Sequence, residues 1–280
     1  MIKIRHKSLA CLVLALAGCD SSMQASESSK ASATDWNPQW GAPDSALLRP
    51  GSMIETGSSG CTAGFLFVDP VKQLYYMGTA AHCASGGASD DGTGQRVSVE
   101  TAIGTVVTIP ESSQEIGTVV FDSDSPDLQQ NFGVDGGVDF ALVLLDPGLN
   151  EMSHPQVISL NAPTGFIDCA DTASGDRFSF HGHGMVFGGA DATRTRPGVL
   201  VVCDGNNYAG YTAAIFGDSG GPAVHDANGL ALGFISGAGL DTTPPTELIG
   251  PTLPYVLREL SKAGFGNVAL ATVEGGFVGL

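Results

Sequence analysis

From Cys61 onward, short apolar runs alternate with turn-forming residues: CTAGFLFVD, QLYYMGTAAH, RVSVETAIGTVVTI, EIGTVVF, VDFALVLLD, RFSFHGHGMVF, GVLVVCD and AVHDANGLALGFISGAG. Most have strand length and are rich in Val, Ile, Phe and Tyr, a pattern that predicts an all-β sandwich or barrel. DANGL, between PAV and ALGFIS, predicts a hairpin turn with Asn228 and Gly229 at positive φ. ASGGASDDGTG and DSDSPDLQQNFGVDGG read as solvated loops. One segment departs from the β pattern. In TLPYVLRELSKAGF, Leu253, Val256, Leu257 and Leu260 fall at helical spacing, with Arg258, Glu259 and Lys262 off the stripe. Pro254 suits a first helical turn and Gly264 a stop, so the body is expected to end in one packed helix. The closing GNVALATVEGGFVGL fits either a last strand or a loose tail, and no segment repeats internally.

Length and composition narrow this picture. A chain of 280 residues with 42% hydrophobic residues can bury a full core as one large or two small domains. Gly 39 and Pro 15 favour turns over helices. Charge is uneven: Lys+Arg 12 against Asp+Glu 29 gives a net of -17, and Lys3, Arg5 and Lys7 all lie in the first seven positions. Without those three, 9 basic residues face 29 acidic ones, a net of -20. Such a body repels nucleic acid and anionic lipid, which excludes both as partners.

The basic MIKIRHK followed by apolar SLACLVLALA reads as a signal peptide over residues 1–18, too short for a membrane span. Ala15-Leu16-Ala17 suits ordinary cleavage. Leu16-Ala17-Gly18-Cys19 resembles the lipobox of bacterial lipoproteins, and it accounts for a cysteine at this place, so lipidation at Cys19 is the preferred reading. Residues 19–45, Ser/Ala-rich at their start, read as a flexible tether before a body at 46–280. The expected location is outside a bacterial cytoplasm: lipid-anchored to the envelope, otherwise periplasmic or secreted. Cys61, Cys83, Cys169 and Cys203 remain in the body. In an oxidising compartment they suggest two disulfides with three possible pairings, and no Cys-x-x-Cys supports zinc instead.

Three stretches bear on chemistry. AIFGDSGGP could be an ordinary turn, or a sharp bend presenting Ser219 beside backbone N–H groups. A hydroxyl needs a base, and His82 in GTAAHCA follows an apolar strand and adjoins Cys83. Bonding of Cys83 to Cys61 would pin that histidine's backbone. Asp139 opens the apolar strand VDFALVLLD and is the acid most readily drawn below the surface, where an imidazole N–H would satisfy it. Each alone has an ordinary structural explanation. Together and in this order, TAAHC, VDFALV and GDSGGP resemble the trypsin/chymotrypsin-like serine peptidase family, over about residues 52–262. The RPGSMIETGSSGCTAGFLF and TAAHCASGG stretches are most similar to its bacterial secreted members.

The resemblance implies two six-stranded antiparallel β-barrels with a C-terminal α-helix. It implies His82 as general base, Asp139 as its orienting acid and Ser219 as nucleophile, with Gly217 and Ser219 giving oxyanion N–H groups. It also implies a pocket built from Ala213, Ser236, Gly237 and Ala238, and pairing of Cys61 with Cys83 and Cys169 with Cys203. Two features depart from the family. No Ile-Val-Gly-Gly terminus precedes Cys61; the nearest candidates are Met53 and Ile54, so Asp218 needs another partner. Ala213 stands where an Asp would select Arg or Lys, and Ile215 replaces the usual pocket cysteine. An uncharged pocket favours small or apolar side chains before the cleaved bond.

The expected activity is therefore serine endopeptidase hydrolysis through an acyl-enzyme, by a monomer acting on polypeptide with no cofactor or metal. The alternative is a catalytically silent homologue serving as a protein-binding module. An esterase elbow matches Gly217-x-Ser219-x-Gly221 but needs the acid and histidine after the serine, which is not the order here. His181 and His183, two apart, could pair on a metal but show no third ligand, and Gly182-His183-Gly184 resembles the family's Gly-aromatic-Gly turn instead. Asp122, Asp124 and Asp127 suit a solvated loop better than calcium, for want of a closing Glu.

Overall fold

The computed structural model describes residues 36–56, 59–84, 102–184, 194–239 and 247–280. The signal, the Cys19 lipobox and most of the tether lie outside these residues, as does ASGGASDDGTG after its first residue, Ala84.

The first half's strands are β1 (Met53–Thr56), which precedes the apolar runs, and β2 (Ser59–Thr62), β3 (Leu66–Asp69), β4 (Leu74–Thr79), β5 (Val106–Ile109), β6 (Gln114–Asp122) and β7 (Ala141–Leu145), which overlap them. A single helical turn, α1 (Ala81–Ala84), follows β4. The second half contributes β8 (Arg177–His181), β9 (Thr195–Cys203), β10 (Asn207–Tyr211), β11 (Pro222–His225), β12 (Leu230–Phe234), β13 (Gly237–Gly239) and β14 (Glu247–Pro251). Then come helix α3 (Leu253–Lys262) and two short strands, β15 (Ala269–Ala271) and β16 (Phe277–Val278). All strand pairs are antiparallel.

The second sheet runs β12-β11-β8-β9-β10-β14-β13. A bridge between Gly233 and Thr252 brings β12 back to the end of β14, so six strands come nearly full circle. The first sheet runs β16-β15-β3-β4-β7-β6-β5-β1-β2. Its count exceeds six because the chain returns after α3 and lays β15 along β3, pairing Ala269 with Val68 and Leu270 with Phe67. The closing segment is thus strand and not loose tail.

Each half has its own interior. Ile54, Leu66, Val68, Met77, Val107 and Val143 fill the first; Phe178, Phe180, Leu200, Tyr208, Leu232 and Leu248 fill the second. Between them lies an aromatic seam, with Phe140 and Phe234 ring centroids 4.9 Å apart and Phe65 and Phe234 5.5 Å apart. Burying each such ring is worth about 2–3 kcal/mol by transfer, so the seam is a principal bond between the halves.

α3 packs Leu253, Val256, Leu257 and Leu260 onto this seam, and the Thr252 hydroxyl caps it by accepting from Tyr255 N–H at 3.3 Å. Glu259 departs from the expected exposed face. It is buried, because its Oε2 accepts the Asp135 N–H at 2.8 Å and the Lys262 ammonium at 2.8 Å.

Three other local expectations need correction. DSDSPDLQQNFGVDGG is not all solvated loop: α2 (Pro126–Phe132) occupies it, with Pro126 in the first turn, Leu128 buried and Gly133 ending it at φ 66°. In the β11–β12 turn only Gly229, at φ 69°, takes positive φ, and Asn228 does not. Residues 36–45 of the expected tether pack on the first sheet: Trp36 and Trp40 rings meet Tyr75, and Gly41 N–H donates to the Ser153 carbonyl at 2.9 Å.

Candidate active site

β4 delivers the chain into α1, which carries His82. Two ties fix this turn: the Cys61–Cys83 disulfide to β2, and the Thr56 hydroxyl donating to the Cys83 carbonyl. Asp139 arrives from β7's entrance after a 3-10 turn at Gly136–Val138, in a left-handed conformation of φ 46° and ψ 54°. Its carboxylate is 3% exposed and lies 2.9 Å from His82 Nδ1 through Oδ2, while Oδ1 also accepts the His82 backbone N–H at 3.1 Å. Ser236, expected as a pocket wall, donates its hydroxyl to Asp139 Oδ2. A buried carboxylate needs several donors, and these supply them. With Nδ1–H given to Asp139, the neutral imidazole keeps Nε2 as the proton acceptor.

Ser219 follows β10 in a turn held from inside by Asp218. That carboxylate is fully buried and accepts a guanidinium fork from Arg196 on β9, with Nη1 2.8 Å from Oδ2 and Nη2 on Oδ1. Gly184 N–H reaches Oδ1 at 2.7 Å and Ile215 N–H reaches Oδ2 at 2.8 Å. Side chains have no room here: a Cβ on Gly184 would lie 2.8 Å from Asp218 Oδ2. Met53 and Ile54, the sequence's nearest candidates for a terminal partner, lie in β1, paired with Thr62 and Cys61. Arg196 takes that place.

Gly217 sits at φ 98°, a conformation glycine adopts without steric cost. Among the described residues, neither its N–H nor that of Ser219 donates to another group, although Asp218, Gly220 and Gly221 N–H groups all do. Ser219 lies beside the disulfide that carries His82: its carbonyl accepts from Thr62 N–H at 2.9 Å and stands 3.8 Å from Cys83 Sγ. Among the described residues, the Ser219 hydroxyl forms no hydrogen bond.

The remaining expected residues are placed as follows. Ala213 is exposed, and its carbonyl accepts from Arg196 Nη1 at 2.8 Å. Gly237, also exposed, and Ala238 open the edge strand β13, whose other side pairs with β14. Cys169 and Cys203 are disulfide-bonded.

His181 and His183 have rings 6.0 Å apart, but only His181 belongs to β8. Arg194 is hydrogen-bonded to the His183 ring, a cation that would oppose a metal ion there. His181 is wholly buried, with Nδ1 2.7 Å from the Thr195 hydroxyl. Its pKa is pushed down to about 3, by burial first and then by the charges of His183, Arg194, Arg196 and Arg49. Asp122 turns inward to accept from Ala102 and Asp124 N–H groups, each at 3.0 Å, and Asp127 accepts from Asn131 at 2.6 Å. Cys61, His82 and Cys83 have ligand-type atoms within 4.8 Å of one another, but the disulfide consumes both sulfurs.

No protein-family model and no curated protein matches the chain. Among solved structures it is similar to Protease A of Thermobifida fusca, with a TM-score of 0.51 and 20% identity over 80% of this chain and 98% of that one. It is also similar to a glutamic acid specific serine protease described as using a novel histidine triad in substrate binding. That match has a TM-score of 0.50 and 18% identity over 78% of this chain and 98% of the other. At these identities the likeness establishes the fold, which is chymotrypsin-like.

Proposed function

We propose that this chain is a serine endopeptidase that cleaves polypeptides through an acyl-enzyme. The observation that supports the reading is a pair of undonated N–H groups, on Gly217 and Ser219, in a turn that lies against the disulfide adjoining a carboxylate-bound His82. Ser219 Oγ attacks the scissile carbonyl while His82 Nε2 takes its proton, and the carbonyl electrons move onto an oxyanion facing the two N–H groups. Collapse expels the amine, which takes the proton from His82, and water repeats the sequence to release the acid. Asp139 holds the imidazole's tautomer and orientation throughout. The Asp218–Arg196 pair builds the turn without a liberated terminus, so activity needs no cleavage at Met53 or Ile54.

Ala213, Ser236, Gly237 and Ala238 carry no side-chain charge, which supports a preference for small or apolar residues before the cut. A cleavage profile from a peptide library dominated by Arg or Lys at that position would overturn this assignment. Export and lipidation at Cys19 complete the proposal and rest on residues 1–19 alone. The peptidase reading is tested with a fluorophosphonate. An adduct is expected on Ser219 and should vanish in His82→Ala; a folded wild-type protein that does not label would make the chain a binding module instead.

A further inference from the structure

Thr62 ends β2, directly after Cys61, and is wholly buried. The triad chemistry does not call on it, yet its polar groups reach across to the second half of the chain. Its N–H donates to the Ser219 carbonyl at 2.9 Å. Its hydroxyl oxygen is 3.0 Å from the His183 N–H and 2.7 Å from the Gly217 carbonyl. The direction of these two bonds is forced. An amide N–H only donates, so the hydroxyl accepts from His183 and gives its single proton to Gly217. The Thr62 carbonyl accepts in turn from the Thr79 hydroxyl at 3.2 Å, which anchors the residue to β4.

Gly217 needs such a restraint. Glycine reaches φ 98° freely, but for the same reason it leaves that conformation freely, and its N–H is useful only when aimed at the substrate oxygen. Its neighbour on one side is the 183–184 turn, where an added Cβ would stand 2.7 Å from the His183 carbonyl. The Thr62 hydroxyl joins that turn to Gly217 by bonding to both. Its β-branch restricts χ1 and holds the hydroxyl in one direction.

We propose that Thr62 is a positioning residue for the oxyanion hole: by gripping the Gly217 carbonyl it keeps the Gly217 N–H facing the reacting oxygen. The inference rests on the peptidase reading. It also gives the hole and the base a common mount. Thr62 is bonded to Cys61, His82 to Cys83, and the two cysteines to each other, so one disulfide of the first half sets both Nε2 and an oxyanion donor built on the second half.

The test compares Thr62→Val, which keeps the shape and loses the hydroxyl, with Thr62→Ser, which keeps the hydroxyl. Each is assayed for hydrolysis of a chromogenic peptide anilide and for inhibition by a peptidyl boronic acid that forms a tetrahedral adduct on Ser219. For Thr62→Val, kcat should fall roughly ten- to a hundredfold with KM within about threefold, and boronate affinity should fall by the same factor as kcat/KM. Thr62→Ser should return kcat to within about threefold of wild type. A folded Thr62→Val with wild-type kcat, or with a raised KM alone, overturns the proposal. If Val does not fold, Thr62→Ala, which leaves space for a water between Gly217 and His183, is read by the same criteria. A wild-type protein that neither cleaves nor binds the boronate overturns the peptidase reading itself, an outcome distinct from an active wild type whose Thr62 variants match it.

Discussion

Asp139 and His181 show how differently a buried polar side chain can be used. Asp139 receives the His82 ring, the His82 backbone and the Ser236 hydroxyl, so its charge is satisfied and its direction fixed. Asp139→Asn keeps the shape but presents an amide donor to Nδ1, favouring the wrong tautomer; kcat should fall by about 10⁴ in steady-state assay while the Tm changes little. His181 serves structure. Because its folded pKa lies near 3 while an unfolded histidine titrates near 6.5, the unfolded chain binds the extra proton between these values. Stability from this group is therefore complete above about pH 6.5 and is lost as pH falls toward 3. His181→Gln, neutral throughout, should lose about 3 kcal/mol less than wild type between pH 7 and pH 4 in urea titrations. His82, Asp139 and Ser219 stand out as candidates in the sequence because each sits in a short local word. Arg196 does not, since its bond joins β9 to Asp218 in a turn 22 residues further along the chain. A signal existed: Arg196, Gly198 and Leu200 share the inward face of β9, and an inward arginine requires a buried carboxylate. Arg196→Met, which strands that carboxylate, should cost about 3–5 kcal/mol in denaturant unfolding and abolish labelling of Ser219.

At the scale of elements, α3 reaches beyond its apolar stripe. Tyr255 donates its hydroxyl to Asp135 Oδ2 at 2.5 Å, Glu259 accepts the Asp135 N–H, and Lys262 donates to the Gly133 carbonyl at 3.1 Å. The helix therefore clasps the segment that leads into Asp139, whose left-handed backbone needs external support. The Asp135 carboxyl is held below its usual range, first by the Tyr255 hydrogen bond and then by the Gly137 N–H. Tyr255→Phe removes one bond at a partly solvated site and should lower stability by about 1 kcal/mol, read as a shift in the urea midpoint. Periodicity predicted α3 well because four leucine and valine positions repeat at helical spacing. The same periodicity missed Glu259, since a carboxylate buried by an N–H and an ammonium looks polar in sequence. α2 escaped notice for the opposite reason: a helix with Leu128 as its one buried residue shows no stripe, and only Pro126 and Gly133 marked its ends.

For the whole molecule, chain order and spatial order part company after α3. The β pattern predicted a sandwich or barrel, and the family resemblance implied two barrels in succession. The last residues instead leave the second half and return to the first, where β15 covers the edge of β3 and Phe277 meets Trp36, 6.3 Å between centroids. Nothing in ALATV decides between strand and tail, because a short edge strand owes its stability to the partner it finds. This return has energetic weight. Leu270 is fully buried in the seam that α3 shares with Phe67 and Phe140, and Ala271 is fully buried in the first interior. Ending the chain at Gly264 would expose the β3 edge together with these apolar contacts, and an uncovered edge strand pairs with other chains. The truncated protein should unfold at a markedly lower temperature in calorimetry and form oligomers in sedimentation, with Ser219 labelling lost in parallel. If it instead stays monomeric with the wild-type transition, β15 and β16 are an appendage and the first sheet is complete at β3.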